Sequence, residues 1–330
     1  MSLSLAACKG GSELVDFSGS TMGTTYTVTG VDHDRRVDTA ALKAAVEKTL
    51  LDVNAQMSNW DRSSEVSRFN AATTTDPVSV SKGLAEVVRA SQQVNRDSDG
   101  QFDITLGPVI EAWGFGAQNT GSREAPDQHV LNAALASAGK TGALQLDGNR
   151  IRKPHQDTQI HLPSIGKGYG VDQMAEVARS FGLSDFMVEI GGDIYVSGRN
   201  ADSMKWQIGI ETPSAMTRQA YKVASVSNMG MATSGDYRNY YERDGKRYSH
   251  IIDAHTGHPI THRTASVTVL ADNTMLADAW ATAMLVLGTG RGLEIANKLD
   301  LAAMFIDRNS NDLNKGFVTT SSDRFEALQA

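Results

Sequence analysis

The sequence predicts an α+β fold built on a mostly antiparallel sheet with packed helices. Three observations lead there. Several short segments are rich in β-branched and aromatic residues, the signature of strands. Others place apolar residues at helical spacing. The two kinds mix without the regular strand–helix alternation of a doubly wound parallel sheet.

Thr24–Thr29 reads as the first strand, and residues 40–55 as a helix with Leu42, Val46, Leu50 and Val53 on one face. Asn59–Ser64 is a polar turn leading into Glu65–Asn70. A second helix is expected over 82–97, with Leu84, Val87, Val88 and Val94 inward and Asp99-Gly100 at its end. Residues 117–128 are polar and read as an exposed loop. A helix over 169–181 follows a glycine-rich turn. Strands are expected at Phe186–Ile190, Ile194–Ser197, Trp206–Glu211, Lys222–Ser227 and Ser266–Leu270. Met275–Gly288 and Arg291–Leu299 read as two helices near the C-terminus. Elements that belong together are interleaved along the chain, so no internal domain boundary is drawn.

The chain has 330 residues, 40% of them hydrophobic, enough for a substantial core. Its formal net charge is -7 and it has no long basic run, which argues against nucleic acid as a partner. No apolar run approaches the roughly 18 residues of a membrane-spanning helix. The single cysteine, Cys8, excludes an intramolecular disulfide and a cysteine-based metal site. Leu5-Ala6-Ala7-Cys8 has the form of a bacterial lipobox, where cleavage leaves a lipid-modified cysteine at the new N-terminus. Met1–Ser4 is far shorter than a signal peptide, so the expectation is a trimmed precursor. Lys9–Ser20 then reads as a polar tether. Residues 1–17 are expected to be that tether, with Cys8 as its lipid anchor, and 18–330 a single unit on the outer face of a cytoplasmic membrane.

The densest chemistry lies in Ser227–Asp253, which carries Gly235, Arg238, Ser249, His250 and Asp253. Asp244-Gly245 is a hairpin turn dipeptide. A hairpin there would return His250 to the Ser234–Asp236 loop, where an imidazole could take a proton from a hydroxyl near pH 7. A hydrogen-bonded structural histidine is the alternative. Asp278 and Thr282 stand four apart and share a helix face. A carboxylate beside a hydroxyl offers two hard oxygens suited to Mg²⁺. The same spacing fits Asp278 as a helix N-cap with Thr282 bonded back to a carbonyl. Gly166-Lys167-Gly168 opens a helix, where backbone N–H groups and a lysine attract phosphate. It is not a Walker A loop. Phe102-Asp103 through Trp113–Gly116, with Trp60, could sandwich a flat heterocycle; a hydrophobic staple under a turn is the plainer reading. Together these parts fit a nucleotide or dinucleotide undergoing phosphoryl-type transfer.

These blocks also carry a family likeness. Thr21–Thr24, Ser64–Asn70, Phe102–Gly116, Gly166–Asp172, Val188–Gly192, Thr233–Asn239, Ser249–Asp253 with Thr256-Gly257, and Ala277–Thr282 occur in the order of a known pattern. The chain resembles the ApbE family, the FAD:protein FMN transferases. The resemblance runs from Thr21 to about Gly288. It implies a T-fold-related architecture and an ApbE-like domain over 18–330. It further implies transfer of FMN from FAD to a Thr or Ser hydroxyl of an acceptor protein, with AMP released. The acceptor would belong to a membrane redox complex, such as a sodium-pumping quinone reductase, and the enzyme would be a periplasmic lipoprotein. It assigns Mg²⁺ to Asp278, Thr282 and the Ser164 carbonyl. It places FAD near Met22, Trp60, Gln101, Phe102, Asp103, His161, Lys167 and Ile252. His250 becomes the base, Lys167 stabilises the pyrophosphate charge, and Arg238 helps hold the hairpin or the phosphate. Alternatives within this likeness are a Mg²⁺-dependent FAD pyrophosphatase and a flavin-binding protein without turnover. The chain departs from the pattern at His161-Leu162-Pro163, where Asp-Leu-Ser is usual, at Trp60 in place of tyrosine, and at Ala254 in place of proline.

Overall fold

A computed structural model of the chain describes residues 12–116, 124–214, 219–243, 245–309 and 316–330. The first strands are β1 (Glu13–Thr21) and β2 (Thr24–Asp32), followed by α1 (Thr39–Met57) and α2 (Glu65–Ala71). The short β3 (Val78–Ser79) precedes α3 (Lys82–Asp97), α4 (Gly107–Ala112) and α5 (Gln128–Ser137). Strands β4 (Gln145–Asp147) and β5 (Arg150–Arg152) lead to α6 (Gly166–Ser180). Then come β6 (Asp185–Ile190), β7 (Asp193–Ser197), β8 (Trp206–Glu211), β9 (Ala220–Val226) and β10 (Met229–Gly235). β11 (Tyr240–Arg243) and β12 (Lys246–Ser249) form the expected hairpin. The chain closes through β13 (Thr264–Ala271), α7 (Thr274–Lys298), β14 (Ala302–Arg308), β15 (Phe317–Ser321) and α8 (Asp323–Gln329).

Eight strands form one sheet in the order β1-β2-β6-β7-β10-β13-β14-β15, with antiparallel neighbours throughout. Side chains alternate across its middle. On β14, Ala303 and Phe305 join a core with α3 and α7, while Ala302, Met304 and Ile306 face β8, β9 and α8. This two-sided burial explains why β13 is buried from Thr264 to Leu270. On the β2–β6 half, Tyr26, Val28, Phe186 and Val188 pack against α1 and α6. The α+β fold with a mostly antiparallel sheet expected from sequence is the fold found.

Some boundaries differ from the expectation. The stretch read as a tether is already strand from Glu13, because each residue of β1 pairs with β2 across the Met22-Gly23 turn. Single-strand periodicity is weak in Glu13–Thr21, so that pairing was not visible in the sequence. Cys8 lies outside the described residues, as does most of the 117–128 loop. The two C-terminal helices are present as expected: they share the label α7 but are separated at Gly288, whose backbone is not helical (φ 70°, ψ 170°).

The start of α7 is fixed by its neighbour α6. Asn273 caps the Leu276 N–H at 2.9 Å, and the Asp172 carboxylate accepts from the N–H groups of Thr274 (2.7 Å) and Met275 (2.8 Å). Three of the four orphan donors of the helix start are thereby satisfied. The two helices approach so closely that a Cβ on Gly168 would lie 2.3 Å from the Thr274 carbonyl oxygen. Asp172→Ala would leave two amides without acceptors, and it should lower unfolding free energy by about 1–3 kcal/mol in urea titrations. A change under about 0.3 kcal/mol would remove Asp172 from this role.

Candidate active site

One cleft of about 840 Å³ opens between α6, α7, the ends of β6–β8 and β10, and the hairpin. Gln101, Phe102, Asp103, Trp60, His161, Ser164, Lys167, Arg238, His250, Ile252, Asp278 and Thr282 all reach its wall.

Asp278 lies one turn into α7 and is 4% exposed. Since Asn273 is the N-cap, the N-cap reading of Asp278 fails. Its Oδ2 accepts the Gly168 N–H at 3.1 Å. Gly168 is the third residue of α6, so its N–H is one of the orphan donors of the helix start, and Asp278 satisfies it. Among the described residues no backbone N–H donates to the Ser164 carbonyl, which precedes the helix. Thr282 likewise does not bond back to a carbonyl; its Oγ1 lies 3.0 Å from the Ser234 hydroxyl of β10. The Asp278 carboxylate, the Thr282 hydroxyl and Ser164, whose carbonyl takes no backbone N–H among the described residues, thus border the same cleft. This donor set suits a hard cation that completes its shell with water and substrate phosphate. Among the described residues there is no cluster of three or more His, Cys, Asp or Glu side chains, so a zinc-type site is not offered. Burial raises the Asp278 pKa, and the nearby Lys167 charge opposes that shift. A cation at this carboxylate would relieve the cost of burying it.

Lys167 points from the first turn of α6 to Asp193 at the start of β7, with which it forms an ion pair. Burial works against its charge, but the Asp193 and Asp278 carboxylates outweigh burial and raise its pKa. The lysine therefore remains cationic in the cleft.

His250 follows β12. Its backbone N–H donates to the Asn239 carbonyl at 3.1 Å, and Nδ1 lies 3.0 Å from the same oxygen. A carbonyl only accepts, so Nδ1 must carry the proton, and Nε2 keeps a lone pair. Burial pushes this imidazole below its ordinary pKa, against the Asn239 bond and the Asp236 charge.

The opposite wall carries His161. Its segment is clamped by two amides: Asn59 and Asn70 both donate to the Ile160 carbonyl at 2.8 Å, while their oxygens accept from Leu162 and Ile160. Burial, reinforced by His250, pushes the His161 pKa down to about 4, so the ring is neutral. Its Nε2 and the Gln101 Oε1 are buried without hydrogen-bond partners. Two orphaned polar atoms on one wall suit a ligand with a polar edge. Trp60 is 61% exposed and its ring lies 6.2 Å from that of His161.

A family assignment follows from comparison with known proteins. The sequence model of the ApbE family matches residues 22–305. The chain belongs to the ApbE family. It is 41% identical to the FAD:protein FMN transferase of Haemophilus influenzae, over 99% of this chain and 95% of that protein. It is 39% identical to the one from Vibrio cholerae, over 98% and 95% of the two chains. Among solved structures, the flavin transferase ApbE from Vibrio cholerae superposes with a TM-score of 0.87 at 37% identity, covering 96% of this chain and 99% of that one. The apo form of the Pseudomonas stutzeri flavinyl transferase ApbE gives 0.87 at 38% identity, covering 96% and 97%.

Within this ApbE-family chain the remaining expected site residues sit in different settings. Trp113 is 3% exposed and lies in the core off the cleft wall, and Phe102, 1% exposed, reaches the wall from a largely buried ring beside the more open Trp60 and Phe115. The Asp103 carboxylate is occupied by Thr105 and by the Thr141 N–H at 3.2 Å. Met22 is not on the cleft wall; it sits in the β1–β2 turn at φ 49° and packs beside Gly170. Arg238 reaches the cleft, but its guanidinium is ion-paired to Glu211 of β8, which favours its hairpin-holding reading. Sequence reasoning missed Asp193 and Ser234 as partners of Lys167 and Thr282. The only signal for Asp193 was its place after Gly191-Gly192, a turn that brings β7 back beside β6.

Proposed function

We propose that this chain is an FAD:protein FMN transferase, moving FMN from FAD to a Thr or Ser hydroxyl of an acceptor protein and releasing AMP. The observation that carries this reading is the meeting, in one cleft, of an unprotonated His250 Nε2, the Lys167 ammonium and the Asp278–Thr282–Ser164 oxygen set. The names of its relatives support it. Gln101 and His161 hold the polar edge of the flavin beside Trp60. Lys167 neutralises the diphosphate. His250 Nε2 takes the acceptor hydroxyl proton as that oxygen bonds to the FMN phosphorus. The bond from this phosphorus to the AMP oxygen breaks, and AMP departs with the negative charge. Mg²⁺ held by Asp278, Thr282 and the Ser164 carbonyl would supply charge neutralisation and in-line orientation of the diphosphate.

Asp278→Ala and His250→Ala separate the roles. The first should abolish Mg²⁺-dependent transfer, read as in-gel flavin fluorescence on an acceptor subunit of a quinone reductase. The second should stop transfer by about 10²-fold or more while FAD binding, followed by flavin fluorescence, persists. Free FMN formed equally fast with or without acceptor would favour a pyrophosphatase instead.

The pH dependence has a defined sign. His250 acts as a base only when neutral, and its pKa lies below the ordinary value of about 6.5. At saturating Mg²⁺ the transfer rate should hold as pH falls through 6.5 and drop only below it. An acid limb above 6.5 would contradict this role.

The setting we propose is periplasmic, with a lipid anchor on Cys8. The Leu5–Cys8 motif supports it. Among the described residues no helix is long and apolar enough to cross a membrane. In cells expressing the full precursor, fatty-acid labelling should be present and should vanish with Cys8→Ser; labelling that survives the change would exclude this anchor.

A further inference from the structure

The hairpin that carries His250 pairs with no other strand among the described residues. An isolated two-stranded hairpin is marginal in water, so something else must hold it. From β12, Arg247 donates to the carbonyl of Asp236, which precedes the hairpin, at 2.7 Å, and the Asp236 carboxylate is bound by both Arg308 nitrogens at 3.0 and 2.5 Å. Beside His250 the support is aromatic. Tyr241 and Tyr248 face each other across the hairpin register and stack with centroids 5.2 Å apart and planes at 20°. Trp113 stacks on the outer side of Tyr248 at 5.7 Å, and Phe115 on the outer side of Tyr241 at 5.5 Å. Both outer rings come from the turn that ends α4, so four rings form a clasp. The Trp113 indole N–H fixes that turn by donating to the Gly257 carbonyl at 2.7 Å. At the other end Phe115 meets the His250 ring edge-on at 6.3 Å.

We propose that Tyr241 is a positioning residue for His250, acting through Phe115, and that the ring clasp aims Nε2 at the acceptor hydroxyl. This rests on the reading of His250 as the base. Tyr241 is 6% exposed and is not part of the cleft wall, so its effect on FAD must be indirect. Its hydroxyl is buried without a partner, so the ring, not the hydroxyl, carries the role.

The test compares Tyr241→Leu with Tyr241→Phe in the full chain. It uses FAD and the same quinone reductase subunit as acceptor. Tyr241→Leu should lower the single-turnover transfer rate at saturating FAD by roughly 10-fold or more, with the FAD Kd within about 2-fold. Tyr241→Phe should restore the rate to within about 2-fold, because it keeps the stack and deletes only the orphan hydroxyl. If the leucine variant does not fold, Tyr248→Leu, also off the cleft wall, removes the ring on which Tyr241 stacks and carries the same expectation for the rate. An unchanged rate, or a rate and an FAD affinity that fall together, would overturn the proposal. His250→Ala is the control. Loss of transfer there with Tyr241→Leu unaffected would reject the clasp alone. Retained transfer in His250→Ala would reject the base itself.

Discussion

The contact between Gly168 and Asp278 is the constraint on which the site depends. A buried carboxylate needs a donor, and it takes the N–H of a residue in the first turn of a neighbouring helix. That choice has two consequences. It requires glycine at 168, because the backbone of Thr274 occupies the space a side chain would fill. It also sets Lys167, one residue earlier, where Asp193 can hold it at the edge of the cleft. The Asp278 carboxylate and the Lys167 ammonium are thereby placed by one helix–helix junction.

The rest of the fold serves that junction. The long sheet is covered on one face by α1, α3, α6 and α7, and this layer brings the starts of α6 and α7 together. Asp172 does for the start of α7 what Asp278 does for the start of α6: each carboxylate satisfies amides of the other helix. Two helix starts facing one another also concentrate positive dipole ends on one point, a setting suited to a diphosphate. His250 reaches the same cleft from a different structure. Its hairpin pairs with no other strand among the described residues and is held by rings and an ion cluster, so the imidazole and the α6–α7 junction are anchored independently.

Local signals in the sequence were enough for much of this. The helices α1 and α3 announced themselves by apolar spacing, and the hairpin by Asp244-Gly245. The grouping of Asp278 with Thr282 followed from 3.6 residues per turn. Spacing could not decide between a cation pair and a capped helix start. That depended on where α7 begins, and the start is set by Asn273 and by Asp172, a hundred residues away. Trp113 misled for a related reason. An aromatic beside a carboxylate looks the same in sequence whether its ring faces a ligand or the core.

Composition, periodicity and the ordered motif blocks by themselves determined the α+β class, the family likeness and most residues of the cleft wall. Only the tertiary structure decided which oxygens are free to bind, which nitrogen of His250 lacks a proton, and which rings are spent on packing. The physical reason is that the first set depends on local geometry and side-chain chemistry, which one segment carries within itself. The second depends on the hydrogen-bond and packing partners of each group, and those come from segments distant in the chain.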